Sequence, residues 1–343
     1  MKRILTLSLC LVVLTLVTAA HAAEQLSTRI VTESYLIPSD DPGIQLYVRN
    51  KRPSTMTTFR ADRTVLYVHG TTQASETTFD LALDGKSWMD AIAEQGWDVW
   101  LMDVRGYGGS TKPPEMDRPA ADSPPIVPAV VAMRDLRVAV RHILGTRGLS
   151  RISLLGWSRG ANLVGWYASE HPDTVHRLVL YAPGWIRSPS PAAAPPAPTP
   201  AYQTWSMEQA RKNLQAGVPS EKQETLLPAA WRDAWAAAAL ATDPVGAAQT
   251  PPVVRSPAHD DGREYWNAGK PLYDPARITA PTLIVTAEWD GLNPPALGRA
   301  IFTQLTNVPT KRLVEIGEAS HLLMLERNRP QLFRGVQLFL DEP

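Results

Sequence analysis

Gly156-Trp157-Ser158-Arg159-Gly160 places a serine between two glycines, after the apolar run Ile152-Ser-Leu-Leu155 and ahead of a helical pattern over Ser158–Glu170. A serine on a tight strand-to-helix turn is lifted clear of the sheet, where its hydroxyl can attack a carbonyl carbon. Side chains at the flanking positions would collide with neighbouring backbone, which explains the glycines. Serine is a weak nucleophile at its ordinary pKa and needs a base. His321 has the right placement: it ends Gly317-Glu-Ala-Ser-His321, past the last apolar run and before the final helical segment. His142, His171 and His176 fall in or beside helical segments, away from strand ends. An imidazole base needs a carboxylate to fix its tautomer and stabilise its charged form. Asp290 follows the run Thr282–Thr286, in Ala287-Glu-Trp-Asp-Gly-Leu-Asn-Pro294. Glu288 competes with it, since residues leaving a strand alternate in direction and both could face one site. Asp290 is preferred because it comes later in the loop, with Gly291 allowing a turn toward His321.

Acyl transfer also requires donors for the oxyanion of the tetrahedral intermediate. The backbone N–H of Arg159, directly after the serine, is one candidate. The N–H of Thr71, after the run that ends at His69-Gly70, is the other. His69 is read as a support for that loop, since His321 already supplies the base.

The elements that must hold these residues are short apolar runs, each stopped by a loop: Ile44–Val48, Thr64–Val68, Val99–Met102, Ile152–Leu155, Leu178–Tyr181, Thr282–Thr286 and Arg312–Ile316. Such runs fit strands buried on both faces. Helical segments lie between them, at about Ser87–Gln95, Val127–Leu144, Ser158–Glu170, Pro295–Leu305 and Gln331–Leu340. The alternation predicts an α/β fold with a mostly parallel sheet, helices on both faces, and a site at the carboxyl ends of the strands. From Arg187 to Ala280 no strand-like run is found. That interval opens with six prolines between Pro189 and Pro200 and continues into alanine-rich helices, notably Leu227–Leu240. It reads as an inserted helical lid over 187–280, dividing a core of 23–186 and 281–343. Trp205, Trp231, Trp235 and Trp266 argue that it packs.

Equal numbers of basic and acidic residues, 34 each, give no pull toward nucleic acid or anionic lipid. Lys2 and Arg3, the apolar run from Ile4 to about Ala20, and Ala20-His21-Ala22 form the pattern of a signal peptide over 1–22. Cleavage after Ala22 removes both basic residues and leaves 32 against 34, a net −2. The chain is therefore expected to be exported, to the periplasm or the medium, without stable membrane association afterwards. Cys10 is the sole cysteine and lies in that segment, so no disulfide is expected. No Cys/His spacing suggests a metal, and no cofactor is expected. His259-Asp260-Asp261 is read as a helix cap or a solvent-facing cluster.

Taken together, Val68-His69-Gly70, Asp103-Val-Arg-Gly-Tyr-Gly-Gly-Ser110, Gly156–Gly160, Asp290 and His321 resemble the α/β-hydrolase superfamily, from about Ile44 to Leu340. The similarity is greatest to the branch of small esterases, prolyl aminopeptidase-like enzymes and carbon–carbon bond hydrolases. The chain order Ser158, Asp290, His321 is that of the family. The resemblance implies a lid between the sixth and seventh core strands, and structural roles for Asp103 and Arg105. Arg159 departs from the small or apolar residue common after the serine; a protein carboxylate is its expected partner, an anionic substrate group the alternative. The expected reaction is hydrolysis of a carboxylic ester, a small-molecule substrate, through an acyl-enzyme. Eleven tryptophans, with Trp157, Trp185 and Trp289 near the site, suggest an apolar or aromatic pocket, although each taken singly suits core packing. The runner-up is an amide-cleaving aminopeptidase, with Glu208, Glu221, Glu224 and Asp233 available to bind a substrate amine. A binding protein on the same scaffold is the third reading, and it would have no need of all three catalytic residues.

Overall fold

The structure, a computed structural model, describes residues 29–187 and 198–343. The expected signal segment, with Cys10, and most of the proline-rich run lie outside the described residues. Among the described residues ten strands are formed: β1 (Ile30–Pro38), β2 (Gln45–Pro53), β3 (Thr64–Val68), β4 (Asp98–Met102), β5 (Ile152–Trp157), β6 (Val175–Tyr181), β7 (Tyr202–Trp205), β8 (Val254–Pro257), β9 (Thr282–Ala287) and β10 (Lys311–Ile316). Eight of them make one sheet in the order β1-β2-β4-β3-β5-β6-β9-β10. It is parallel from β4 to β10 and antiparallel at the β1–β2 and β2–β4 pairings. The principal helices are α1 (Ser75–Phe79), α2 (Trp88–Ala93), α3 (Ala129–Arg147), α4 (Arg159–Glu170), α5 (Met207–Leu214), α6 (Ala229–Ala241), α7 (Pro295–Gln304) and α8 (Arg329–Leu340).

Why the central runs carry no polar alternation is visible at β3. Val65 and Tyr67 enter the core beneath α2 and α8, while Leu66 and Val68 enter the one beneath α3 and α4. Successive strand residues point to opposite faces, so a strand covered on both sides must be apolar throughout. Each such Val or Leu contributes about 1.5–3 kcal/mol on burial.

One strand goes unread in the sequence, and one expectation needs correction. β1, a largely exposed edge strand, went unread because Thr32-Glu-Ser34 divides its apolar residues into two short pieces, Ile30-Val31 and Tyr35–Ile37. The interval 187–280 is not free of strands, because β7 and β8 pair antiparallel from Tyr202↔Pro257 to Trp205↔Val254. The interval lies between β6 and β9, the sixth and seventh strands of the main sheet in chain order. Its tryptophans pack: Trp235 is fully buried with Ala210, Leu214 and Leu227, and the Trp231 ring stacks under the Arg329 guanidinium at 4.5 Å. The insertion also braces two loops at the carboxyl edge of the sheet. Gly291 N–H donates to Ala216 O at 2.7 Å, and Arg327 N–H donates to Leu226 O at 2.9 Å. Among the described residues, no helix is long and apolar enough to cross a membrane.

Candidate active site

β5 delivers Ser158 into the turn before α4. The residue has φ 56° and ψ −121°, a left-handed conformation that costs a non-glycine residue roughly 1–3 kcal/mol and recurs at functional turns. Surrounding bonds hold it there. Ser158 N–H donates to Tyr181 O at 2.9 Å, and Ser158 O accepts from Ala161 N–H at 2.9 Å. The flanking glycines are required by space: a Cβ on Gly156 would lie 2.2 Å from Gly160 O, and one on Gly160 would lie 2.2 Å from Val68 O. Gly70, at the end of β3, is packed so closely that a Cβ there would sit 3.0 Å from Ser158 Cβ. Thr71 follows directly, and Thr72 takes φ 78°. Arg159 opens α4, where the first amides have no partner within the helix. The two amides proposed as oxyanion donors therefore lie next to Ser158 along the chain and across from it.

The loop after β10 carries His321. Its carbonyl accepts from Trp157 Nε1 at 3.0 Å and from the Tyr181 hydroxyl at 3.2 Å, which fixes the histidine beside the end of β5. Its Nδ1 is 2.7 Å from Asp290 Oδ2, and both residues are buried. Asp290 Oδ1 accepts from Leu292 N–H and Asn293 N–H at 3.0 and 2.8 Å. One carboxylate oxygen thus shapes its own loop and the other holds the imidazole. Glu288 does not share this role. It is exposed, and its Oε2 accepts from Glu318 N–H at 2.8 Å on the outer side of the same edge. A buried carboxyl that the sequence did not single out supports the histidine loop: Glu326 accepts from Ser320 N–H at 2.9 Å and from the Ser320 hydroxyl at 2.5 Å. Burial pushes Glu326 above the ordinary carboxylate range. An acid closing the apolar stretch Leu322-Leu-Met-Leu325 was its only signal.

The supporting residues fall where the motifs place them. Burial pushes His69 down, toward its neutral form. Its Nε2 accepts from Val104 N–H at 3.0 Å, leaving Nδ1–H to donate to Gly70 O at 2.7 Å. Asp103 accepts from Ser75 N–H and Gly109 N–H, and Arg105 pairs with Asp135 and Asp41. Arg159 meets a protein carboxylate: its Nε donates to Asp261 Oδ2 at 2.7 Å, and its Nη2 donates to Val127 O at 2.6 Å. Asp261 Oδ1 also caps α3 by accepting from Ala129 N–H at 2.9 Å, so that acid is a cap but fully buried, not solvent-facing. Burial raises the Asp261 carboxyl, yet Arg159 and His259 outweigh it and hold the group below its usual range.

Two of the three tryptophans expected to line a pocket are buried instead. Trp157 is completely buried on the α2–α8 face of β5, and Trp185 is buried with its ring edge against Tyr273. Trp289 is part-buried, and its backbone N–H donates to Ala319 O at 2.9 Å. The Trp157 and Trp185 indoles are consumed by core contacts and have no face to offer a ligand. A cavity of about 190 Å³ instead opens beside Thr71, and its walls are largely polar.

The family model for the alpha/beta hydrolase fold matches residues 63–328. The chain belongs to the alpha/beta hydrolase family. Human "Serine hydrolase BPHL" is 28% identical over 139 residues, which is 40% of each chain, so the match spans less than half of that relative. A thermophilic esterase from Thermogutta terrifontis superposes with a TM-score of 0.56 at 18% identity, covering 90% of this chain and 98% of that one. The enol-lactonase from Burkholderia xenovorans LB400 gives 0.55 at 17% identity, covering 90% and 100%. At such identities these structures speak to the fold alone.

His259 carries a pH prediction. Desolvation pushes it down, Arg159 adds to the push, and Asp261 and Asp260 oppose it; the result is about 4. The folded state therefore stays unprotonated where the unfolded chain, near 6.5, takes up a proton. Stability is expected to fall as pH drops from about 6.5 to about 4, by at most about 3 kcal/mol, less whatever its 16% side-chain exposure screens. Urea midpoints at pH 7 and pH 4.5 check this. Wild type is expected to lose more stability than His259→Asn, and an equal loss in both proteins would refute the assignment.

Proposed function

We propose that this chain is a serine hydrolase that cleaves carboxylic esters through an acyl-enzyme, with the insertion over 187–280 serving as a lid above the site. The observation that carries the reading is the 2.7 Å contact between His321 Nδ1 and Asp290 Oδ2 beside the left-handed turn of Ser158. A carboxylate on Nδ1 keeps the proton there and leaves the Nε2 lone pair free to act as base. In this mechanism Ser158 Oγ attacks the ester carbonyl as its proton passes to His321 Nε2. The oxyanion is held by the amides of Thr71 and Arg159. The imidazolium then protonates the departing alcohol, and water repeats the sequence to release the acid.

The aminopeptidase alternative finds little support. Glu208, Glu221, Glu224 and Asp233 are all exposed, Glu208 pairs with Arg211, Glu224 pairs with Arg232, and none of the four lines the cavity beside Thr71. A purified sample should release p-nitrophenol from a short-chain p-nitrophenyl ester and lose that activity on labelling by one equivalent of a fluorophosphonate. It should leave aminoacyl p-nitroanilides untouched. A folded protein that neither turns over esters nor takes the label would favour the binding-protein reading.

A further inference from the structure

We infer that the cavity beside Thr71, closed by Gln203, Asn213, Ser256 and His259 of the insertion, is a subsite for an uncharged part of the ester that bears hydroxyl or amide groups. The inference rests on the ester-hydrolase reading and narrows its substrate class. Its first support is position. Thr71 and Thr72 form the core wall of the cavity, one residue past the Gly70 backbone that packs on Ser158. On the opposite wall His259 stands 3.2 Å from Asp261 Oδ2, the same oxygen that receives Arg159 Nε. Both walls are therefore tied to residues next to the nucleophile, and the Ser256 hydroxyl joins them by donating to Thr72 O at 3.1 Å.

The second support is unspent hydrogen-bonding capacity. Among the described residues, the side chains of Gln203 and Asn213 take no partner, and His259 Nδ1 makes no hydrogen bond despite its nearness to Asp261. Residues with donors and acceptors to spare thus line one space. A ligand carrying matching groups would pair them, whereas an alkyl group would displace their water and leave them bare. The third support is charge. Among the described residues no Lys, Arg, Asp or Glu lines the cavity, and the nearby Arg159 is already occupied by Asp261 and Val127 O. Neither a carboxylate nor an ammonium group would find a counter-charge. The volume, about 190 Å³, corresponds to roughly six waters at about 30 Å³ each, room for a short polar group and not for a fatty chain.

The test uses two matched series with the purified full-length protein. On the acyl side, the p-nitrophenyl esters of butanoic acid, 3-hydroxybutanoic acid, N-acetylglycine and succinic acid are compared. On the alcohol side, the butanoates of 1-propanol and ethylene glycol are compared by acid release. In at least one series the hydroxyl or amide ester should exceed its apolar match tenfold or more in kcat/KM, with the anionic hemisuccinate below both. Sites built to bond a hydroxyl discriminate at this level or beyond. In Asn213→Leu and in His259→Phe, checked for folding by circular dichroism, that ratio should fall below threefold. Apolar esters cleaved as well as their polar matches in both series would overturn the subsite while leaving the hydrolase in place, as would a preference that survives both substitutions. Failure to cleave any ester, together with no fluorophosphonate label, would remove the hydrolase reading and the subsite with it.

Discussion

Ser158→Ala is expected to lower kcat toward an activated ester by about a millionfold, a barrier increase of about 8 kcal/mol. The variant should fold, because the Ser158 side chain makes no capping bond to α4 and the residue is held through its backbone N–H and carbonyl. Alanine adds no atom to the crowded contact with Gly70. His321→Ala should cost about as much, and the double variant little more than either, since nucleophile and base act as one unit. Residual hydrolysis would come from the oxyanion amides and substrate binding alone. Initial rates at saturating p-nitrophenyl butanoate, with thermal unfolding as the folding check, measure both variants. A Ser158→Ala protein within a hundredfold of wild type would exclude Ser158 as nucleophile.

The second large effect separates two neighbouring acids. Asp290→Asn should cut kcat by about ten-thousandfold. The amide oxygen can still accept from Leu292 and Asn293, so the loop keeps its shape. That places the –NH2 group against His321 Nδ1, which must then accept, and the ring proton moves to Nε2, where it blocks the base. Glu288→Gln should change kcat/KM by less than about threefold, a barrier shift under about 0.7 kcal/mol, because glutamine retains the acceptor for Glu318 N–H on an exposed surface. Steady-state kinetics on one ester, run for both variants, gives the comparison. A greater loss at Glu288 would move the third catalytic role two residues earlier.

The parts of this molecule that announced themselves in sequence are those where one cause acts on a few adjacent residues. β3, β5, β6 and β9 are buried on both faces and read as apolar runs. The strand, the two glycines and the helix around Ser158 are fixed by contacts of the backbone with itself. Partners distant along the chain were hidden. β7 and β8 are four residues each, with Pro257 in one, and pair across about 50 residues, so neither carries a periodic signal alone. β1 is an edge strand whose exposed face needs no apolar residues. Alternation along the strand exit could not choose between Glu288 and Asp290; the choice depends on where the loop after β10 lies, with Glu318 outside and His321 inside. The tryptophans misled for a related reason: Trp157 and Trp185 are close to Ser158 in chain or space, yet their rings turn into the core. His259 and Asp261, read as a helix cap or a solvent-facing cluster, take their places only through the folding of the insertion: Asp261 is the buried partner of Arg159 and of the Ala129 amide, and part-buried His259 lines the polar cavity.

The most direct test of the central claim is to mix the protein with p-nitrophenyl butanoate, quench in acid within the first turnover, and map the modified peptide by tandem mass spectrometry. The account predicts one butanoyl group per chain, on Ser158, absent from Ser158→Ala and formed far more slowly in His321→Ala. A butanoyl group on any other residue, or full turnover with Ser158 unmodified at every quench time, would contradict it.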